Sequence, residues 1–348
     1  MNTNKKKIFF IMSTDDYSGA EAVNFCIIDN LKEQYDFYWV SRKGKINEFL
    51  KEKNIKWIEI KKMNICEIKR IAKIYKPDVL HATDYKASVI CALANTGVFL
   101  IDHLHNNSPW LSKLSINSLA FLYSGLRANK ILTVSESIEK EYIFSKYINK
   151  KIKCIGNPLS REKILCNVEK SDFAKKYDIC CVARITEQKN PFKFLSIIEK
   201  VKKQNKDISV IWVGDGNLKE QVVLESKKLG LTENITYVGF KKNPYKYMAS
   251  SKIFLLTSDW EGFGLVAFEA ITLGLPSVVS KVGGLVNIIT EKCGKLCSEE
   301  IEYVEEINKL LTDKDYYIEK CKNSIDRAMR IENSEEYCLN ISKIYEEE

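Results

Sequence analysis

A chain of 348 residues with 45% hydrophobic and 29% charged content is long enough for two ordinary domains and excludes extended disorder. Its formal net charge of +8 is uneven: residues 1–165 carry 27 Lys plus Arg against 17 Asp plus Glu, a net of +10, and the remainder carries 27 against 29, a net of −2. No interleaved basic and aromatic motif accompanies the excess, so nucleic acid is not an expected partner; scattered solvated lysines, or a face drawn to anionic lipid or a lipid diphosphate acceptor, remain as readings of it.

Eleven cysteines are an odd number at irregular spacing without a Cys-x-x-Cys pair. Cys293 and Cys297 come nearest to a metal pair, but no second cluster completes a site, so reduced buried thiols and no metal are expected. No uncharged apolar window of membrane-spanning length occurs, and the apolar run in MNTNKKKIFFIMSTDD is too short for a secretory signal. The cytoplasm is the expected compartment, at the inner face of the membrane if the basic half meets lipid.

In chain order, KKIFFIMS (6–13) reads as a parallel strand. The loop TDDYSGAE leads from it into AVNFCIIDNLKEQ, whose apolar residues recur at helical spacing. Strand, Gly19-containing loop and helix form a unit in which a phosphate can approach the backbone, although the dinucleotide fingerprint Gly-x-Gly-x-x-Gly is missing. Alternation continues through YDFYWVS, INEFLKEKN, IKWIEI, ICEIKRIAKIYK, VLHAT, KASVICALAN and GVFLIDHLHN. A β-α-β series of this kind predicts a doubly wound parallel sheet with ligands at the carboxyl ends of its strands. His81 lies inside a strand and reads as structural, whereas His103 and His105, followed by Asn106 and Asn107, fall where a strand opens. SPWLSKLSINSLAFLYSGLRANK is an amphipathic helical region whose Trp110, Leu111, Leu114, Phe121 and Leu122 suit core packing or membrane-surface contact. NKILTVSESIEKEY adds a strand ending at Ser135 and a helix opened by Glu136. KIKCIGNPL closes the first half, and residues 159–178 read as a charged, structure-poor linker.

DICCVARI opens a second α/β unit. Arg184 and Lys189 sit at the strand end and in the loop before FLSIIEKVKKQN, where two cations beside a helix N-terminus suit a diphosphate. The strands ISVIWVGDG and ITYVGF follow, then a short helix in NPYKYMASS. The strand KIFLLTS runs into DWEGFG and the helix starting at Leu265. Gly262 and Gly264 permit close approach of a ligand, and Glu261 and Glu269 are hydroxyl acceptors on either side of a helix N-terminus that favours phosphate. That pattern fits anions in the middle of a ligand and hydroxyls at both ends, as in a nucleotide diphosphate sugar. SVVSKVGGLVNII adds a strand and the turn Gly283–Gly284, and residues 299–348 read as charged helices.

Glu261 and Glu269, with seven residues between them in EGFGLVAFE, resemble the signature of the family-4 retaining glycosyltransferases. The resemblance implies an α/β fold of GT-B type, two facing Rossmann-like domains with parallel doubly wound sheets and a cleft between them. Residues 1–160 would bind the acceptor, 161–330 the nucleotide sugar, and 331–348 would form a helix packing back on the first domain. Carried over residue by residue, Glu269 accepts ribose hydroxyls, and Glu261 and His105, with His103 as fallback, hold sugar hydroxyls. Arg184 and Lys189 in ARITEQKNP neutralise the departing diphosphate. Gly19 and the amides of Gly262, Phe263, Gly264 and Leu265 cradle it, and Phe240 and Lys241 lie near the base. Ser18 departs from the family's pair of adjacent glycines. The resemblance further implies no cofactor, a nucleotide diphosphate sugar as donor with UDP favoured, and a lipid-linked saccharide as acceptor in surface polysaccharide synthesis. A sugar nucleotide 2-epimerase of the same fold and a non-catalytic partner of another transferase are the alternatives.

Overall fold

Ile8, Phe9, Phe10 and Ile11 have no solvent exposure, as a strand covered on both faces requires. The computed structural model describes residues 5–168 and 176–347. In it this segment is β1 (Lys7–Ile11), followed by β2 (Asp36–Ser41), β3 (Lys56–Glu59), β4 (Val79–Ala82), β5 (Phe99–Leu104), β6 (Lys130–Thr133) and β7 (Ile152–Cys154). They form one sheet in the order β3-β2-β1-β4-β5-β6-β7, with every pairing parallel. Helices connect successive strands, the arrangement that parallel pairing demands.

A second sheet holds β8 (Tyr177–Val182), β9 (Val210–Val213), β10 (Ile235–Gly239), β11 (Ser251–Leu256), β12 (Ser277–Ser280) and β13 (Gly294–Cys297). Its order is β10-β9-β8-β11-β12-β13, again all parallel. One face packs on Phe194, Ile198, Trp212 and Tyr303, the other on Met248, Phe254, Phe268 and Ile271. The strand order reverses between β1 and β4 in the first sheet and between β8 and β11 in the second. Those are the switch points at which the flanking connections leave in opposite directions and open a crevice.

The chain divides into two compact units, Met1–Pro158 with Asn333–Glu348, and Leu159–Glu332. The C-terminal helix Ser334–Tyr345 therefore belongs to the first unit. Its Tyr345 hydroxyl meets His81 Nδ1 at 2.8 Å, and Tyr35 Oη donates to Glu346 Oε1 at 2.7 Å. Tyr35 and Tyr345 also stack edge to face with ring centroids 5.3 Å apart.

Three segments differ from the sequence reading. Within the expected linker, residues 161–166 form the helix Arg161–Cys166, capped by Ser160 and anchored by the buried Ile164, and residues 177 and 178 already belong to β8; residues 169–175 lie outside the described residues. Charge masked a short helix that needs only one apolar anchor. The strand β13 went unread because GKLC has two apolar residues and sits at a sheet edge. The amphipathic region is broken at Lys113, and Leu114, which suits core packing or membrane-surface contact by sequence, is 75% exposed because it falls between the 3-10 turn Pro109–Ser112 and the helix Ile116–Arg127.

Candidate functional site

The connections after β8 and β11 meet at the second sheet's switch point. After β8 the chain turns through Arg184 to the 3-10 turn Glu187–Lys189; Trp212 Nε1 donates to Ala183 O at 3.0 Å and holds this turn to the core. After β11 it runs from Thr257 to Gly264. Thr257 Oγ1 donates to Lys189 O at 3.0 Å, Asp259 N to Gln188 O at 2.9 Å, and Gln188 Nε2 to Trp260 O at 3.0 Å. These bonds clamp the two loops together. Between them the Lys189 ammonium pairs with Glu261 Oε1, which also accepts from Ser258 Oγ at 2.7 Å. Arg184 stays exposed, its guanidinium 3.3 Å from Gln188 Oε1.

The loop 259–264 depends on a neighbouring glycine turn. Gly283 has φ +50°, and a Cβ there would lie 1.7 Å from Glu261 O. Gly264, at φ +91°, ends the loop in the left-handed region and opens the helix Leu265–Thr272. Gly262 and Gly264 are buried while Phe263 and Leu265 are partly exposed. The first-turn amides of this helix are the donors that lack an intrahelical acceptor. Glu269 lies on its second turn, partly exposed, and accepts from Tyr245 Oη at 3.4 Å. Desolvation pushes its carboxyl up to about 7, against the opposing pull of that hydrogen bond and of Lys163. Phe240, 47% exposed, and the exposed Lys241 follow the end of β10.

In the first unit, Gly19 opens the helix Gly19–Leu31 after β1. Glu21 ties the intervening loop down: it is 2% exposed and accepts from Thr14 Oγ1 at 2.7 Å and Ser18 N at 2.8 Å. His81 Nε2 bonds His103 Nδ1 at 3.0 Å, so His103 is tied into a buried chain that starts at Tyr345. The His105 ring lies against His103 with centroids 3.9 Å apart and planes tilted by 37°, and both its ring nitrogens are buried without a hydrogen-bond partner, as is Asn106 Oδ1. Desolvation lowers all three imidazoles, His81 and His105 to about 3 and His103 well below its ordinary range; the neighbouring histidines add repulsion at His81 and His103. Unsatisfied buried nitrogens are uncommon and suit a ligand hydroxyl better than a core position. Ser135 is buried, and the exposed Glu136 pairs with Lys140 at 2.8 Å.

The second unit thus combines an ammonium, a guanidinium and helix-start amides, which bind anions, with two carboxylates, which accept hydroxyls. Sequence reading missed Ser258, Gln188, Tyr245 and the loop-binding role of Glu21. Only the last had a local signal, the capping-box spacing Ser18-x-x-Glu21. Among the described residues no group of His, Cys, Asp and Glu is arranged to hold a metal ion, and no helix is long and apolar enough to cross a membrane.

Residues 167–330 match the family model described as glycosyl transferases group 1. An uncharacterised glycosyltransferase of Methanocaldococcus jannaschii is 28% identical over 312 residues, 79% of this chain and 75% of that protein. The Campylobacter jejuni N-acetylgalactosamine-N,N'-diacetylbacillosaminyl-diphospho-undecaprenol 4-alpha-N-acetylgalactosaminyltransferase is 26% identical over 275 residues, 73% of this chain and 74% of that one. Among solved structures, Anabaena HepE in complex with UDP and glucose superposes with a TM-score of 0.87 at 19% identity, covering 99% of this chain and 100% of that one.

Proposed function

We propose, from the match of residues 167–330 to the group 1 glycosyl transferases and from the GT-B fold, that the chain is a retaining, metal-independent hexosyltransferase. Its donor is a UDP-sugar and its acceptor a hydroxyl of a lipid-linked saccharide in capsule, exopolysaccharide or lipopolysaccharide synthesis. The observation that carries the reading is the clamped pair of loops at the second sheet's switch point, which brings Lys189 onto Glu261 beside a helix start. The donor assignment is supported by the UDP bound in the HepE complex, and the acceptor by the diphospho-undecaprenol in the Campylobacter enzyme's name.

In the second unit Glu269 takes the ribose hydroxyls, and Gly262, Phe263, Gly264 and Leu265 offer backbone to the diphosphate. Phe240 and Lys241 flank the base, and Glu261 holds sugar hydroxyls. As the anomeric carbon–oxygen bond to the β-phosphate breaks, Arg184 and Lys189 stabilise the charge on the leaving diphosphate, work that a divalent cation does elsewhere. The acceptor oxygen bonds to the same face of the anomeric carbon and passes its proton to a β-phosphate oxygen. The diphosphate loses sugar and gains a proton, so the step balances without a cofactor.

Incubation with UDP-sugars and an undecaprenyl-diphosphate saccharide, followed by NMR of the new linkage, tests the reading. An α-linkage from an α-configured donor, formed equally well in EDTA, supports it. Inversion, or loss of activity in EDTA, rejects the retaining or the metal-independent assignment.

A further inference from the structure

The helix Ile116–Arg127 packs Ser118, Phe121, Ser124 and Gly125 inward. Outward it presents Ile116, Leu119, Tyr123 and Leu126, exposed at 86, 50, 37 and 54%. Their spacing of three, four and three residues places them in one stripe along the helix. Leu114 continues the stripe beyond the N-terminus. The helix is firmly seated, since Lys151 Nζ donates to Leu126 O at 2.8 Å and to Ala128 O at 2.7 Å, so the stripe is not a frayed end. A contiguous exposed apolar stripe on a fixed element marks an interaction surface.

Charge says what covers it. From Tyr85 to Ser135 the cations are Lys86, Lys113, Arg127 and Lys130, and the single acid is Asp102, which is fully buried. Around this run Asp84 accepts from the Ser13 and Ala87 amides, Glu141 from Asn107, Glu67 pairs with Arg70 and Glu136 with Lys140, while Lys130 is itself paired with Glu347. Arg127 lies over the Tyr123 ring at 5.6 Å, placing its charge at the edge of the stripe. Apolar side chains rimmed by cations, without an exposed acid in the run, match an anionic bilayer surface. A second copy of this chain fits less well, because a two-fold contact through the stripe would bring these cations against their own equivalents.

We propose that the stripe Ile116, Leu119, Tyr123 and Leu126 seats the first unit on an anionic lipid surface, with Lys113 and Arg127 at the headgroup phosphates. The proposal goes beyond the transferase reading, since it stands on this helix alone.

Co-sedimentation of the full chain with phosphatidylcholine vesicles, with and without phosphatidylglycerol, tests it. The wild type should sediment only with the anionic vesicles and lose binding as salt is raised. Lys113→Glu/Arg127→Glu should weaken binding by at least about 25-fold, about fivefold for each cation removed. Ile116→Glu/Leu119→Glu should abolish it. Both variants alter exposed side chains, so their circular dichroism and their thermal response to UDP-sugar should match the wild type. Absence of wild-type binding to anionic vesicles, or retention of full binding by either variant, overturns the proposal. So does a wild-type dimer that Ile116→Glu/Leu119→Glu dissociates, which assigns the stripe to self-association. A wild type that binds vesicles but gives no nucleotide response keeps the lipid surface and defeats the transferase reading separately.

Discussion

Lys189 and Glu261 lie 72 positions apart in sequence yet form an ion pair whose side chains are only 13% and 8% exposed. Removing one member of so buried a pair leaves the other charge desolvated without its partner. Lys189→Met and Glu261→Ala should each cost about 3 kcal/mol of stability, read as a shift in urea midpoint. A loss below about 1 kcal/mol, the range of an exposed pair, would mean that water reaches the pair freely.

Gly283 carries a different constraint. Its φ is +50°, and a Cβ added there would stand 1.7 Å from Glu261 O, which leaves no room for a side chain. Gly283→Ala should displace the loop 259–264, lower the melting temperature and abolish the response to nucleotide. Gly97→Ala is the control: φ is +77° but nothing lies within 4 Å, so only the left-handed strain of about 1–2 kcal/mol applies. Equal effects at the two sites would refute the close-approach argument.

Glu269 predicts a pH dependence of binding. Its folded value near 7 lies above the ordinary 4.5, so the protonated form is favoured in the free protein, and ionisation removes stability as pH rises from 4.5 through 7. Ribose hydroxyls donate to the ionised carboxylate, so affinity for a UDP-sugar should rise as pH passes upward through about 7. A UDP-sugar is the right probe because a terminal phosphate titrates near 6 and would blur the profile. Glu269→Gln should flatten the dependence; an unchanged slope in that variant would assign the titration elsewhere.

The three histidines act in the opposite sense. Their folded values lie below the ordinary 6.5, so the unfolded chain binds more protons. The stability they give is intact above 6.5 and falls progressively as pH drops below it, toward about 3 for His81 and His105. Asp102, held up at about 7 by burial, offsets part of this loss as it takes up its proton. Denaturant midpoints between pH 6.5 and 4 should therefore fall less steeply in His81→Gln/His103→Gln than in the wild type. Parallel profiles would show that these rings do not carry the acid sensitivity.

Most strands were legible because a parallel strand buried on both faces is a short uninterrupted apolar run, as in KIFFI and KIFLLT. The switch-point loops were legible through their glycines and charged residues. The edge strand Gly294–Cys297 and the helix Arg161–Cys166 were not, since edge position and one-sided burial leave too few apolar residues to establish a period. The ion pair of Lys189 with Glu261 was invisible for another reason: it depends on β8 and β11 being neighbours, which sequence order does not state. The same holds for the hydrogen bond of His81 to His103, which pairs adjacent strands β4 and β5 with the returning C-terminal helix.

The proposed donor site in the second unit holds a nucleotide diphosphate sugar through Glu269, Lys189 and the loop between β11 and its helix. The most direct test is a thermal-shift screen of UDP, GDP, ADP and their sugar conjugates on the wild type, Glu269→Ala and Lys189→Ala, each read against its own unliganded melting temperature. A ligand at 100 times its dissociation constant adds about 2.7 kcal/mol. UDP and UDP-sugars should shift the wild type and neither variant. A wild type unmoved by every nucleotide, or variants that respond as the wild type does, would contradict that site.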